Sequence, residues 1–276
     1  MNTNSTPTVT VVSKTASTSF DILSLINSLA PKHNTNSDES EKTKIISYVI
    51  NMKRNPERLV SFARHYFSAD LNTLARIDGI DGKKINIKGI VSDAVYKQIE
   101  TSEKVGFRVK HYQLTRGAVG CYLSHIKAYQ TFLGSDGYDY ALIFEDDAVL
   151  HPETKRLFLT AFESLPKDWD MALLGCTCRT CTASNSKWNK VDRFWGLHAY
   201  AINRASAQKV LDLLLSIDKI YQQLDSQFSD YARSGQLVIY CCREKLVDQN
   251  RNFDTTIQLP VKRFDGIDAN ENATPA

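Results

Sequence analysis

Three consecutive carboxylates, Glu145-Asp146-Asp147, end the run Tyr140-Ala141-Leu142-Ile143-Phe144 and are followed by Ala148-Val149-Leu150. Five apolar or aromatic residues in a row read as a strand buried on both faces. Acids gathered at the mouth of such a strand repel one another unless a positive charge sits among them. In open α/β sheets ligands bind at the carboxyl ends of the strands, so a site is expected here. Hard carboxylate oxygens suit Mg²⁺ or Mn²⁺, and a diphosphate is the usual partner of such an ion. The other reading of the same residues is a solvated acidic turn after a core strand.

A second polar group follows another strand. Lys44–Ile50 is apolar and β-branched, and Asn51, Lys53 and Arg54 come directly after it. A nucleotide commonly sits there in open α/β folds. Arg58 lies one turn further and can share the role; without a ligand the stretch is a solvated basic loop. His198 alternates with Leu197 and Ala199 on a strand. A neutral imidazole at that place can ligate a metal, or be satisfied within the core. Cys176, Cys178 and Cys181 fall within six residues, and three thiols could take zinc with His198 or Cys121 as fourth ligand. No second pair of knuckle cysteines is present, so free thiols in a loop are expected.

The elements that must position these groups follow from spacing. Asn55 can cap a helix with Pro56 at its first position and Leu59, Phe62, Ala63, Tyr66 and Phe67 on one face. A strand is expected near Thr73–Ile77, then the double turn signal Asp78-Gly79-Ile80-Asp81-Gly82. A helix follows over 92–103. Thr115 can cap a longer one with Val119, Tyr122, Leu123, Ile126, Tyr129 and Leu133 at helical spacing. Gly117 and Gly120 near its start permit close approach of another backbone or a ligand. After His151-Pro152 come a helix, a strand over 169–175, and an irregular surface loop over 176–194. A strand over 197–202 leads to a helix capped by Asn203, and a last strand spans 237–241. Strand, helix, strand at the start announces an open α/β sheet.

Composition sets the bounds. The chain has 276 residues, 34 Lys plus Arg against 31 Asp plus Glu, and a net charge of +3, too weak to argue for nucleic acid. No apolar run is long enough for a transmembrane helix, and Met1–Ala16 lacks a basic-then-apolar signal pattern. Six clustered cysteines fit a reduced setting, so a cytoplasmic protein, free or peripheral to a membrane, is expected. Residues 1–43 are rich in Ser, Thr, Asn and Lys and read as a disordered leader, within which Phe20–Leu29 can form a short helix. The folded domain is expected over 44–260 and a polar tail over 261–276.

Several stretches in one order carry a resemblance. They are Tyr48-Val49-Ile50-Asn51, Ile77-Asp78-Gly79, Leu114-Thr115-Arg116-Gly117-Ala118-Val119-Gly120-Cys121-Tyr122-Leu123-Ser124-His125, Phe144-Glu145-Asp146-Asp147, Leu174-Gly175, His198-Ala199-Tyr200 and Val247-Asp248-Gln249. Together they resemble glycosyltransferase family 25, which includes lipooligosaccharide galactosyltransferases and the galactosyltransferases of collagen hydroxylysine. The resemblance implies a GT-A type, Rossmann-like open mixed sheet flanked by helices. It also implies transfer of a sugar, galactose before glucose, from a UDP-sugar with inversion, in lipopolysaccharide biosynthesis or another glycan modification. The acceptor is then a carbohydrate or a hydroxylysine-type hydroxyl. With a nucleotide diphosphate leaving, Asp147 is the first expected ligand of Mn²⁺ or Mg²⁺ and Glu145 the second, with His198 a further candidate; Asp146 is a ligand or a ribose contact. Asn51, Lys53, Arg54, Arg58, Ser124 and His125 become donor-binding candidates. Inversion needs a general base, and Asp225 in Leu224-Asp225-Ser226-Gln227 is expected to supply it, unless it only caps a helix.

Two other classes compete. A non-catalytic glycan-binding module on the same fold has no need of Glu145-Asp146-Asp147 together with Asp225. A nucleotidyltransferase also uses acids at a strand end, but would want a Gly-rich phosphate loop after the first strand, and Asn51-Met52-Lys53-Arg54 has no glycine.

Overall fold

The computed structural model describes residues 44–262 except 72, 111, 254 and 256. The expected leader with its helix at Phe20–Leu29, and the tail from 263 on, lie outside the described residues. The elements are β1 (Ile45–Asn51), α1 (Pro56–Ser68), β2 (Leu74–Asp78), α2 (Asp93–Val105), α3 (Arg116–Leu133), β3 (Tyr140–Glu145), β4 (Ala148–Leu150) and α4 (Thr154–Phe162). β5 (Met171–Ala183), β6 (Trp188–Asn203), α5 (Arg204–Leu215), α6 (Leu224–Arg233), β7 (Ile239–Cys242) and β8 (Val247–Gln249) complete them.

Six strands form one mixed sheet in the order β2-β1-β3-β6-β5-β7, and β4 pairs with β8 in a separate ribbon. β1 is parallel to both β2 and β3, whereas β6 runs antiparallel to β3 and β5. The expected open mixed sheet flanked by helices is therefore present. The chain leaves β1 for β2 on one side and returns to β3 on the other. The carboxyl ends of β1 and β3 thus flank a topological switch point, where such sheets open a crevice. Register places Asn51 opposite Asp78 and Ile50 opposite Glu145 at that edge.

Alternation along the strands sorts side chains into two cores. Tyr48, Ile143, Leu173 and Tyr200 pack with Val119, Tyr122, Tyr129 and Phe132 of α3 and with α5 and α6. Val49, Leu142, Phe144, Ala172 and Ala201 face the other way, onto Leu59, Phe62 and Tyr66 of α1 and Phe158 of α4. Period two in the strands against 3.6 in the helices is what the sequence pattern demanded. Two of the expected caps form: Thr115 Oγ1 accepts from the Ala118 amide at 3.0 Å and Asn203 Oδ1 from Ser206 at 2.7 Å. Asn55 precedes α1 without a capping bond from its side chain, and Pro56, lacking an N–H, needs none.

Residues 176–194 are not an irregular loop. They belong to a hairpin in which β5 has 13 residues and β6 has 16. Thr177, Thr180, Thr182, Val191, Phe194 and Trp195 favour extended backbone, and the polar outward positions disguised the alternation. Asn185 Oδ1 accepts from the amides of Lys187 and Trp188, both at 2.9 Å, and so sets the turn. Trp188 is fully buried and donates through Nε1 to the Ala161 carbonyl at 2.8 Å. Cys178 and Cys181, expected as free thiols, are joined in a disulfide, while Cys176 is free. Register shifts between them set their Cα atoms 6.2 Å apart, within bridging distance. At the far end of the fold Val261 is buried and the Lys262 amide donates to the Arg108 carbonyl at 2.9 Å, so these two residues pack on the domain.

Two glycines bring the α3 N-terminus against the loop after β2. A Cβ on Gly120 would lie 2.4 Å from the Ile80 carbonyl, and one on Gly82 would overlap the Arg116 carbonyl. The expected close approach at Gly120 is therefore to backbone. Trp188 tests the hairpin: Trp188→Ala should destabilise the protein by about 3–5 kcal/mol in urea unfolding, the cost of emptying a buried indole site. A tryptophan on a surface loop would give a change near zero.

Candidate active site

Arg58 is buried although it is charged. Its Nε donates to Asp146 Oδ1 at 2.7 Å, and its Nη2 reaches Asp146 Oδ1 at 2.6 Å and Asp147 Oδ2 at 3.2 Å. Asn51 Nδ2 donates to the other Asp146 oxygen at 2.7 Å and to the Asn55 carbonyl at 2.9 Å, while Asn51 Oδ1 accepts from Arg76 at 3.0 Å. The positive charge that three acids required is thus supplied by the first turn of α1. Both oxygens of Asp146 accept from protein donors, Oδ1 from Arg58 and Oδ2 from Asn51.

Glu145 and Asp147 stand differently. Glu145 Oε1 lies 3.4 Å from His125 Nε2 and 3.7 Å from Cys121 Sγ. Burial pushes the Glu145 carboxyl up, but hydrogen bonding and charge from His125, with His198 and Arg58 behind it, outweigh burial and hold it below the ordinary range. His125 is fully buried, and its Nδ1 lies 2.9 Å from Tyr200 Oη, itself 2.7 Å from Tyr129 Oη. Asp147 Oδ2 accepts from Gln249 Nε2 at 3.0 Å, and its Oδ1 is buried with no partner. Burial, then repulsion from Glu145, raises the Asp147 carboxyl from the ordinary 3.8 to about 7. An orphaned carboxylate oxygen under neighbouring negative charge is the environment a divalent cation would relieve. Glu145 and Asp147 therefore fit such an ion.

His198, the third metal candidate, does not join them. It is buried, its Nε2 lies 3.2 Å from the Val247 carbonyl, and its Nδ1 has no partner. Burial pushes the imidazole down toward its neutral form. Among the described residues, Cys121, His125 and Glu145 form a group of three His, Cys, Asp or Glu side chains whose ligand atoms all lie within 4.8 Å of one another.

Asp225 is the second residue of α6, and Gln223 holds the cap position without a capping bond from its side chain. Its Oδ2 accepts from the Gly196 amide at 3.2 Å and its Oδ1 from Ser226 at 2.7 Å. Burial raises its carboxyl above the ordinary aspartate value. Asp225, Glu145, Asp147 and Arg58 line one cavity of about 500 Å³, closed on another side by Gln249 and Phe253. A smaller cleft beside it is lined by Met52, Arg54, Ile80, Ser124, His125 and Asp146. Within it, Ser124 Oγ accepts from the Ile80 amide at 2.8 Å and donates to the Gly120 carbonyl at 2.6 Å, which ties the loop to α3. Arg54 pairs with Asp81, and Lys53, two-thirds exposed, reaches Asp78 at 3.6 Å.

Sequence reasoning passed over Tyr129, Tyr200, Arg76, Gln249 and Phe253 as site residues, and considered Cys121 only as a zinc ligand beside the thiols of Cys176, Cys178 and Cys181. Gln249 carried a signal, since Val247-Asp248-Gln249 is one of the ordered stretches, but nothing in the chain order placed β8 beside β4. Cys121 and Tyr200 stood inside such stretches too, hidden by their apolar spacing.

A counter-charged acidic cluster and a second carboxylate thus line one cavity at the switch point of a mixed sheet. The model of glycosyltransferase family 25 (LPS biosynthesis protein) matches residues 44–226, and the chain belongs to that family. It is 25% identical over 133 residues to procollagen galactosyltransferase 2 of Mus musculus, covering 46% of this chain and 20% of that one. The human protein of the same name is 23% identical over the same length, with the same coverage. The inactive glycosyltransferase 25 family member 3 of Mus musculus is also 23% identical over 133 residues, 46% of this chain and 21% of that one. The matched segment spans about a fifth of each relative's length. Among solved structures, the glycosyltransferase GlyE of Streptococcus pneumoniae TIGR4 is 12% identical with a TM-score of 0.37, over 72% of this chain and 45% of that one. A197 from STIV is 11% identical with a TM-score of 0.38, over 78% and 98%. At such scores these likenesses carry no weight for function. No described helix is long and apolar enough to cross a membrane.

The raised Asp147 carboxyl has a sign that can be measured. A carboxyl whose folded pKa exceeds its unfolded value favours the fold fully below about pH 4 and loses that contribution as pH rises through about 7. Asp147→Asn keeps the shape without the charge. With chelator present it should gain roughly 2–4 kcal/mol on the parent between pH 4 and pH 8. Urea unfolding at several pH values reads this directly, and a pH-independent difference would contradict the buried state of Asp147 beside Glu145.

Proposed function

We propose that this chain transfers a hexose, galactose before glucose, from a UDP-sugar to a hydroxyl of a glycan or protein acceptor, with inversion at the anomeric carbon. The observation that carries this reading is that Asp225 and the pair Glu145 and Asp147 line one cavity of about 500 Å³. The galactosyltransferase names of the procollagen relatives support galactose.

The chemistry assigned to each residue follows from its surroundings. Asp225 accepts the acceptor hydroxyl proton while that oxygen bonds to the anomeric carbon and the bond to the leaving phosphate oxygen breaks, so UDP departs with the electron pair. Its amide donors at Gly196 and Ser226 hold the carboxylate in one orientation, and burial makes it a stronger base than a solvated aspartate. Arg58 offers positive charge at the acidic edge, and Arg54 borders the smaller cleft, where the nucleoside is assigned. Asn51 and Asp146 position Arg58, and Ser124 and His125 shape the cleft wall. Lys53, at the rim, attracts the diphosphate. Glu145 and Asp147 would hold Mn²⁺ or Mg²⁺, which when bound supplies Lewis-acid stabilisation of the leaving diphosphate.

A screen of UDP-sugars with Mn²⁺, reading UDP release, tests the reading. UDP-galactose should be turned over, and chelator or Asp147→Ala should abolish it with the fold intact. Turnover that survives both would remove the metal from the reaction, and silence with every UDP-sugar would remove the donor class. Asp225→Asn at saturating donor and acceptor should lower the rate roughly 10²- to 10⁴-fold with donor affinity nearly unchanged.

A further inference from the structure

Cys121 and His125 stand four residues apart on α3 and so share one face of the helix. Glu145 at the end of β3 meets them, and one ligand atom from each of the three lies within 4.8 Å of the others. The separations are 3.4 Å from His125 Nε2 to Glu145 Oε1 and 3.7 Å from Cys121 Sγ to Glu145 Oε1. For an N–H···O bond 3.4 Å is long, about 0.4 Å beyond the usual distance. They match something else. Zinc holds imidazole nitrogen and carboxylate oxygen at about 2.0–2.2 Å and thiolate at about 2.3 Å, which gives tetrahedral edges of about 3.4 Å for N···O and about 3.6 Å for S···O.

The geometry points to a binding site for a thiophilic divalent cation of the Zn²⁺ class, held by Cys121 Sγ, His125 Nε2 and a Glu145 carboxylate oxygen. On binding, the Cys121 thiol gives its proton to solvent and its sulfur bonds the metal. Cys121 and Glu145 both line the 500 Å³ cavity, so the fourth position opens toward it, free for water or a substrate oxygen. The remaining nitrogen of His125 faces Tyr200 Oη at 2.9 Å, and Tyr200 is held by Tyr129 at 2.7 Å. Such an outer hydrogen bond fixes the ring orientation a ligating histidine needs.

Ligand softness separates this site from the oxygen pair Glu145 and Asp147. Thiolate and imidazole select Zn²⁺ over Mg²⁺ or Mn²⁺, which prefer carboxylates and water. Glu145 is common to both, so an ion on Cys121 and His125 removes a ligand from the hard-cation site. Zinc is therefore a competitor for the acidic edge. The inference stands on Cys121, His125 and Glu145 and does not depend on the sugar-transfer reading.

Co²⁺ is the probe, because a cobalt–thiolate bond absorbs in the near ultraviolet and a tetrahedral ion absorbs strongly in the visible. The full chain, reduced and stripped of metal, is titrated with Co²⁺ and then with Zn²⁺. One equivalent of Co²⁺ should produce both bands, and one equivalent of Zn²⁺ should remove them. Cys121→Ser should abolish the near-ultraviolet band and weaken Zn²⁺ binding at least about 100-fold. Tyr200→Phe should weaken it about tenfold, the usual effect of losing an outer-shell partner. Asp147→Asn should leave the bands unchanged. Absence of the bands in the parent, their persistence in Cys121→Ser, or their loss in Asp147→Asn would each overturn the proposal. Should Cys121→Ser not fold, Glu145→Gln gives the second arm, with weakening of at least tenfold expected and parental affinity contradicting the site. Donor turnover plays no part in these readings, so failure here leaves the transfer reading intact, and the reverse holds.

Discussion

Arg58 and Asp146 are buried together where the first turn of α1 meets the turn between β3 and β4. Removing one partner of such a pair strands a charge in a poorly solvated place, at a cost of about 3–5 kcal/mol. An exposed pair such as Arg156 with Glu153 contributes about 0–1 kcal/mol. The buried pair also fixes geometry. Asn51 bonds to the second oxygen of Asp146, Arg76 bonds to Asn51, and the ends of β1, β2 and β3 are thereby locked to one another.

That arrangement divides three adjacent acids by environment. Asp146 is spent on structure, and Glu145 is held ionised against His125. Asp147 keeps one unpartnered oxygen and a carboxyl raised to about 7. The unspent negative charge therefore faces the cavity shared with Asp225. Adjacent residues of a strand and turn point in different directions, so the separation follows from backbone geometry once β3 ends at Glu145.

Much of this was legible in the chain. Strand β3 and its acids, α1 with its apolar face, and the caps at Thr115 and Asn203 came from local periodicity and cap chemistry, which depend on near neighbours. The need for positive charge among these acids was legible, but it was expected from a metal ion, and that Arg58 supplies it to Asp146 needed the angle of α1 to the sheet. Residues 176–194 misled because Thr, Cys and Arg on exposed positions mask a period of two, and the burial of Trp188 depends on α4, which no local pattern links to it. His198 looked like a ligand by type. Its contact with Val247 arises because Gly175 lets that carbonyl approach, where a Cβ would lie 2.0 Å from it. Asp225 was nameable only by resemblance, since its place beside Gly196 joins α6 to the middle of β6.

A double-mutant cycle on unfolding free energy, with chelator present, tests whether Arg58 and Asp146 act as the pivot of this edge. The variants are Arg58→Met, Asp146→Asn and the pair together, each measured in urea at neutral pH. If the two residues hold the strand ends as one unit, the double variant should lose less than the sum of the single losses, with a coupling of about 1–3 kcal/mol. Losses that add to within about 0.5 kcal/mol would show two independent residues and contradict the role given to this ion pair.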